Sequence, residues 1–196
     1  MARHAGVSVN PPAYCNEYDA AMPTGPLWQQ AAAFAARAHQ HQMRKDGCTP
    51  YFSHTVRVAL TVACLFGEKD EEILAAALLH DTIEDTTADY NDLYELFGRR
   101  VADIVATLTK DMRLIEPERE KVYDEQLAAG PWEARLIKLA DVYDNYCDMG
   151  NADSRSKQIE RARRAIKLAA GDRQLDAARR IVEQLIGAGG KRKRKK

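Results

Sequence analysis

Apolar residues recur at three- and four-residue intervals along most of the chain, which is the spacing of one face of an α-helix. No segment alternates single apolar and polar residues between turn signals, as a half-buried strand would, and no internal repeat is present. The pattern therefore predicts an all-α fold built as a single-domain helical bundle. The predicted helices span residues 27–43, 54–66, 71–85, 88–97, 99–108, 118–129, 132–149, 153–168 and 172–186.

Capping and breaking residues set the predicted ends of these helices. Ser53 and Asp70 have side chains that can accept the first free N–H groups of a helix, so both are expected N-caps, and Thr87 is expected to bound the fourth helix. Glycine and proline mark breaks at residues 46–50 and 130–131. The third helix is expected to run without a break from residue 71 to about residue 85.

Three regions are predicted along the chain. Residues 1–25 contain three prolines and few clustered apolar residues, so we expect an extended N-terminal arm. Residues 26–187 form the folded domain. Residues 188–196 are expected to form a basic disordered tail, whose basic residues 191–196 follow a glycine-rich linker at 187–190.

Composition narrows the class of protein. Hydrophobic residues make up 45% of the chain and charged residues 30%, which is ordinary for a soluble domain. The longest strictly apolar run, residues 73–79, is far too short to cross a membrane, and no segment has the form of a secretory signal. Four scattered cysteines without a CxxC pair indicate reduced thiols, and hence a cytoplasmic protein.

The net charge of zero conceals an uneven distribution. All six residues from 191 to 196 are basic, and the remaining chain carries 23 basic residues against 29 acidic ones. Such a tail is usually a solvated end, although it could also bind nucleic acid or an anionic surface.

The most informative segment is His80-Asp81-Thr82-Ile83-Glu84-Asp85, which directly follows alanine and leucine on the third helix. That helix is expected to be mostly buried, and burying four ionisable groups costs several kcal/mol each unless they are paired or bind a metal. A divalent cation would offset this cost. Further ligands are expected from His54, at the start of the second helix, and from Asp141, which lies in an apolar stripe of a later helix.

Two imidazoles and two carboxylates form a mixed nitrogen and oxygen donor set. This set suits Mn²⁺ or Fe²⁺ better than the thiolate-rich sets that select zinc. His39 is expected to be a core histidine or a support for these ligands, and Tyr51 is expected to pack beneath them.

The arrangement His54 … His80-Asp81 … Asp141 resembles the signature of the HD superfamily of phosphohydrolases. It is more specifically similar to the hydrolase domain of RelA/SpoT-type proteins and to their stand-alone relatives, the small alarmone hydrolases. The resemblance runs from about residue 38 to residue 149. It is carried by residues 38–39, 42, 44–47, 50–51, 54, 76–86, 97–98, 101, 105, 109–110, 138–141 and 145.

The resemblance implies an HD-type helical fold and a hydrolase that uses one Mn²⁺ ion to remove the 3′-pyrophosphate of guanosine tetra- and pentaphosphate alarmones; other divalent metals would also fit the donor set. The implied metal ligands are His54, His80, Asp81 and Asp141. The implied catalytic acid pair is Glu84 and Asp85, and the implied nucleotide contacts are Arg44, Lys45 and Asn145.

Two further hypotheses follow from residues 144 and 148, where the sequence departs from the usual family pattern, and from the basic tail. Asp144 and Asp148 add negative charge close to the expected polyphosphate site, which favours a different substrate on the same scaffold, such as NADPH or a nucleoside phosphate. The basic tail motivates a third hypothesis, a non-catalytic module that binds nucleotides or nucleic acid.

Overall fold

The computed structural model describes residues 24–148 and 152–191, and within them the protein is built from helices, with one isolated bridge between Met43 and Pro50. A π-helical turn, Thr61–Leu65, continues the second helix, and a 3₁₀ turn, Arg173–Leu175, precedes the last one. The all-α prediction is confirmed. In chain order, helices α1 to α10 are Leu27–Ala38, Phe52–Leu60, Glu71–Leu79, Thr82–Asp85, Tyr90–Phe97, Arg99–Leu108, Glu116–Ala129, Trp132–Cys147, Ala152–Leu168 and Asp176–Lys191.

Helix α3 forms the centre of the core. Its residues from Ala75 to Leu79 are all buried, so this helix is covered on every side and not only along one stripe. Helix α1 packs along it, and the Phe34 ring meets the Phe97 ring of α5 edge to face, with 5.5 Å between centroids. Helices α2, α6 and α8 enclose the rest of the core, and α9 and α10 pack on α8.

Helix α1 ends at Ala38, five residues before the predicted end. His39 is buried, and its Nδ1 lies 2.7 Å from Oε1 of Gln42, a contact that holds the chain in a turn. Gln42 also accepts a backbone hydrogen bond from Tyr51, so residues 39–51 form a hairpin-like loop in place of the last helical turn. A side chain that bonds locally competes with the helical ladder, which explains the early end.

One predicted N-cap, Ser53, and one predicted helix boundary, Thr87, are wrong. Ser53 lies inside α2 and its hydroxyl faces Arg57 on the next turn, while residue 51 occupies the cap position without a side-chain bond. Helix α5 is capped by Asp89 and not by Thr87, because the Asp89 carboxylate and the Asp92 side chain bond reciprocally to each other's backbone N–H groups. The cap at Asp70 is confirmed by two bonds, from the N–H groups of residues 72 and 73.

The predicted third helix is interrupted at His80 and Asp81, two of the predicted metal ligands. Helix α3 ends at Leu79, His80 and Asp81 form a turn, and the short helix α4 begins at Thr82. Two side chains bond to carbonyls at the break: Nδ1 of His80 lies 2.9 Å from the Ala77 carbonyl oxygen, and the Thr82 hydroxyl donates to the Leu79 carbonyl over 2.6 Å. These bonds satisfy carbonyls at the end of α3, where the backbone ladder is interrupted.

The last helix runs to Lys191, through the four residues 187–190 that the sequence predicts as a linker. These residues are helical although each glycine costs a helix about 1 kcal/mol relative to alanine. The remainder of the predicted basic tail, residues 192–196, and nearly all of the predicted N-terminal arm lie outside the described residues.

None of the helices in the described ranges has the length and apolar character that a membrane span requires. Cys48, Cys64 and Cys147 are free thiols, and Cys15 lies outside the described residues.

Candidate metal and nucleotide site

Side chains from α2, α8 and the turn after α3 converge on one point. Nε2 of His54 lies 3.5 Å from Oδ2 of Asp81 and 3.4 Å from Oδ1 of Asp141, and Nε2 of His80 lies 2.9 Å from the same Asp81 oxygen. Donor atoms of His54, His80 and Asp81 all lie within 4.8 Å of one another. The break at residues 80–81 matters here, because it lets two consecutive side chains face the same point.

The chemistry of His80 fits a metal ligand. Its Nδ1 faces the Ala77 carbonyl, which can only accept, so Nδ1 carries the proton and the neutral ring presents a lone pair at Nε2. That Nε2 atom is buried and has no hydrogen-bond partner among the described residues, although a carboxylate oxygen lies close to it. An unpartnered buried nitrogen beside a carboxylate is costly in the absence of a cation and well suited to binding one.

His54 is held by a carboxylate. Its Nδ1 lies 2.7 Å from Oδ2 of Asp144, and Asp144 in turn accepts two bonds from the Arg57 guanidinium, at 2.6 and 3.0 Å. His54 and Asp144 are both buried. The imidazole therefore has one fixed orientation, with Nε2 directed toward Asp81 and Asp141.

The two carboxylates of the cluster also have fixed partners. The Tyr51 hydroxyl donates to Oδ2 of Asp81 over 2.6 Å. Asp141 accepts from Nζ of Lys138 over 2.7 Å and from the side-chain amide of Asn145. These bonds leave the carboxylates ionised and oriented, which a cation-binding site requires.

The pKa values show how strongly this cluster attracts positive charge. Burial by itself lowers the pKa of His54, but the carboxylates of Asp141, Asp144 and Asp81 outweigh it and raise the pKa to about 11. Burial would raise the pKa of Asp141, but Lys138 and His54 hold it below its usual value. A divalent cation between these ligands would supply the positive charge that the two imidazoles otherwise take up as protons.

Glu84 and Asp85 lie one turn beyond the cluster, on α4. Burial is the main cause that raises the pKa of both carboxyls, and the nearby Asp81 charge adds to it. Glu84 is anchored, because its Oε2 accepts the backbone N–H of Lys110 over 3.0 Å. A raised pKa makes a carboxylate a better proton acceptor, which is the property that general acid–base catalysis needs.

A cavity of about 300 Å³ opens beside the cluster, and the predicted nucleotide contacts line one end of it. Arg44 lies over the Tyr51 ring, 5.5 Å from its centroid, and donates to Oδ1 of Asn145 and to Oδ2 of Asp148, each over 3.0 Å. Lys45 is exposed at the mouth of the cavity. The hairpin-like loop at residues 39–51 brings these two cations to the site.

The lining of the cavity also contains functional candidates that sequence reasoning left out. Lys138, Arg161 and Arg164 face the cavity from α8 and α9, and Tyr123 lies beneath the Lys138 ammonium, 5.4 Å from it. Only Lys138 gave a usable signal, since it stands three residues before Asp141 and so shares its face of the helix. The cations of α9 reach the cavity through helix packing, which no local pattern reveals.

The departures at residues 144 and 148 do not place free negative charge in the cavity. Neither residue lines it. Asp144 is buried against the Arg57 guanidinium, and Oδ2 of Asp148 lies within 3.1 Å of nitrogens of both Arg57 and Arg44. The expectation of added negative charge at the polyphosphate site is therefore wrong, because two arginines compensate these carboxylates.

Comparison with known proteins agrees with this geometry. Residues 31–172 match the family model described as HD domain. The chain is 39% identical over 123 residues to guanosine-3′,5′-bis(diphosphate) 3′-pyrophosphohydrolase MESH1 of Drosophila melanogaster, a match that covers 62% of this chain and 69% of that protein. The Homo sapiens protein of the same name is 40% identical over 121 residues, covering 61% and 68%. The bifunctional (p)ppGpp synthase/hydrolase SpoT of Escherichia coli is 39% identical over 131 residues, covering 63% of this chain and 18% of that protein.

A solved structure has the same fold. It is described as a metazoan ortholog of SpoT that hydrolyzes ppGpp and plays a role in starvation responses, and it superposes with a TM-score of 0.75 at 30% identity over 87% of this chain and 99% of that one. The chain therefore belongs to the HD domain family and is a homologue of the MESH1 and SpoT hydrolases.

Proposed function

We propose that this protein is a metal-dependent hydrolase that removes the 3′-pyrophosphate from guanosine tetra- and pentaphosphate. The observation that carries the proposal is the convergence of His54, His80, Asp81 and Asp141 beside a cavity whose lining includes both cations and carboxylates. The MESH1 proteins to which the chain is similar are named for this reaction, and the similar SpoT protein is named as a (p)ppGpp synthase/hydrolase.

Four residues would hold the cation, namely His54, His80, Asp81 and Asp141, and we propose Mn²⁺ as the ion because the donor set mixes nitrogen and oxygen. When bound, such an ion supplies a Lewis acid for phosphate oxygens and lowers the pKa of water beside it. Its entry would relieve the buried and unpartnered Nε2 of His80.

The protein's own residues would move the protons. In the reaction, a water oxygen forms a bond to the 3′ phosphorus while the bond from phosphorus to the ribose 3′ oxygen breaks. We assign Glu84 and Asp85 as the acid pair that takes the water's proton and returns one to the leaving oxygen, because burial raises the pKa of both carboxyls and both line the cavity.

Arg44, Lys45 and Asn145 would bind the nucleotide. Arg44 is already oriented by its contacts with Tyr51, Asn145 and Asp148, so little side-chain freedom is lost on binding. A planar guanidinium can stack on a base or bind a phosphate with two parallel bonds, and Lys45 adds a point charge.

The alternative substrate, NADPH or a nucleoside phosphate, loses the observation that motivated it, since arginines compensate Asp144 and Asp148. The hypothesis of a non-catalytic module concerns basic residues that lie mostly outside the described part of the chain. We also propose that the protein works in the cytoplasm, because free thiols at Cys48, Cys64 and Cys147 suit a reducing compartment.

The decisive experiment is a product assay with the Mn²⁺-loaded protein. We expect guanosine tetraphosphate to yield GDP and pyrophosphate in equal amounts, and Asp81→Ala to abolish turnover. Asp103→Asn, which alters an exposed carboxylate on α6, is the matched control and should retain activity. Orthophosphate release from several nucleotides without preference for guanosine alarmones, or full activity of Asp81→Ala, would overturn the proposal.

A further inference from the structure

Asp144 and Arg57 form an ion pair behind the metal cluster, and Arg57 also contacts Asp148. The Arg57 guanidinium binds both oxygens of the Asp144 carboxylate, at 2.6 and 3.0 Å, and the same carboxylate contacts Nδ1 of His54. Asp144 is 4% exposed, and neither residue lines the cavity. The Asp144 carboxylate therefore acts on the His54 imidazole and the Arg57 guanidinium, and not on a group in the cavity.

A histidine ligand needs one defined tautomer, because only the unprotonated nitrogen can donate to a metal. The tautomer of His80 is set by the helix that precedes it, because Nδ1 faces the Ala77 carbonyl, which is fixed in the backbone. His54 lies in the first turn of α2, and its tautomer is set by the Asp144 side chain on α8. A carboxylate on a rotatable side chain fixes an imidazole only if it is itself fixed, and the two bonds from Arg57 do this.

We propose that Asp144, held by Arg57, is the positioning residue that keeps His54 protonated on Nδ1 and directs Nε2 to the metal. This inference rests on the metal site of the proposed function, and it adds to that function two residues that bind neither metal nor substrate. It also explains why an aspartate is tolerated at residue 144 beside a site for a polyanion: its charge is used by His54 and Arg57 and does not reach the cavity.

A purely structural role would look different in experiment. Arg57 and Asp144 also join α2 to α8, so their loss could lower stability without any effect on the metal. A positioning role predicts loss of metal affinity and a changed imidazole signature in protein that remains folded. Partners of metal-binding histidines typically contribute about 10- to 100-fold in metal affinity.

The test uses the full chain with Asp144→Asn, which keeps the volume but removes the charge. Mn²⁺ affinity is measured by calorimetry and by electron paramagnetic resonance, and the His54 tautomer by nitrogen-15 NMR with Zn²⁺ as the diamagnetic probe. We expect about 10- to 100-fold weaker Mn²⁺ binding and loss of the strongly hydrogen-bonded Nδ1 proton of His54. The same isosteric change at an exposed site, Asp103→Asn, should alter neither.

Unchanged Mn²⁺ affinity and an unchanged His54 signature in folded Asp144→Asn would overturn the inference. If that variant does not fold, Arg57→Met provides the test, because it leaves the carboxylate in place but free to rotate; it should also weaken Mn²⁺ binding, and wild-type affinity would refute the role. The outcomes separate from the proposed function, because wild-type protein that hydrolyses the alarmone while Asp144→Asn binds Mn²⁺ normally would sink only this inference.

Discussion

Replacing Arg100 by methionine should destabilise the fold by about 2 to 3 kcal/mol. The Arg100 guanidinium on α6 joins two other helices, because it lies 3.0 Å from Asp70 and 2.7 Å from Glu72 at the start of α3, and 3.0 Å from Glu133 on α8. The side chains of Asp70 and Glu72 are 37% and 41% exposed, so each pair contributes about 0 to 1 kcal/mol. The Glu133 side chain is only 11% exposed.

The Glu133 carboxylate therefore dominates the expected loss. Leaving a fully buried carboxylate without its partner costs about 3 to 5 kcal/mol, and the 39% exposure of the Arg100 side chain reduces this to about 1 to 2 kcal/mol. Urea unfolding followed by circular dichroism measures the total. In a domain of this size, the same loss lowers the melting temperature by about 5 to 10 °C.

A double-mutant cycle with Glu133→Gln isolates the pair. If the cost comes from an unpaired carboxylate, adding Glu133→Gln to Arg100→Met should recover about 1 kcal/mol, since the amide carries no charge to desolvate. An Arg100→Met protein within about 0.5 kcal/mol of the wild type, or a double mutant whose losses simply add, would refute the reasoning.

Three further predictions concern other parts of the fold. Gly130→Ala would place a Cβ atom 2.4 Å from Cγ2 of Thr107, so it should cost about 1 to 3 kcal/mol in thermal unfolding, and Thr107→Ser in the same chain should restore much of that; a harmless Gly130→Ala would contradict the packing. Tyr51→Phe removes the hydroxyl that donates to Asp81, so Mn²⁺ titration by calorimetry should show about tenfold weaker binding, and wild-type affinity would count against this role. Hydrogen bonds from its own turn lower the pKa of Asp46 from 3.8 to about 2. Because its folded pKa is the lower one, the carboxylate stabilises the loop above about pH 4, and the effect is lost as the pH falls through 2; a carbon-13 titration midpoint near 3.8 would disprove this.

The part of the site formed by consecutive residues could be predicted from the sequence. Ionisable groups directly after a run of alanine and leucine indicated a buried charged cluster, and the structure places Asp81 and Asp141 within 3.5 Å of His54. The hydrophobic pattern did not predict that α3 ends at Leu79. At that end, the side chains of residues 80 and 82 bond to backbone carbonyls, and helical periodicity does not reveal such contacts.

By itself, the sequence determined the class of fold, most helix boundaries in the second half of the chain, and the identity of the charged groups, because each depends on short-range periodicity, capping and the cost of burying charge. The tertiary structure alone decided which of those charges meet. From the sequence alone, Asp144 is interpreted as added negative charge near a polyphosphate site. It is a partner for His54 because α2, which also carries Arg57, packs beside α8. Contacts between side chains 87 and 90 residues apart follow from how helices pack, and no local pattern encodes them.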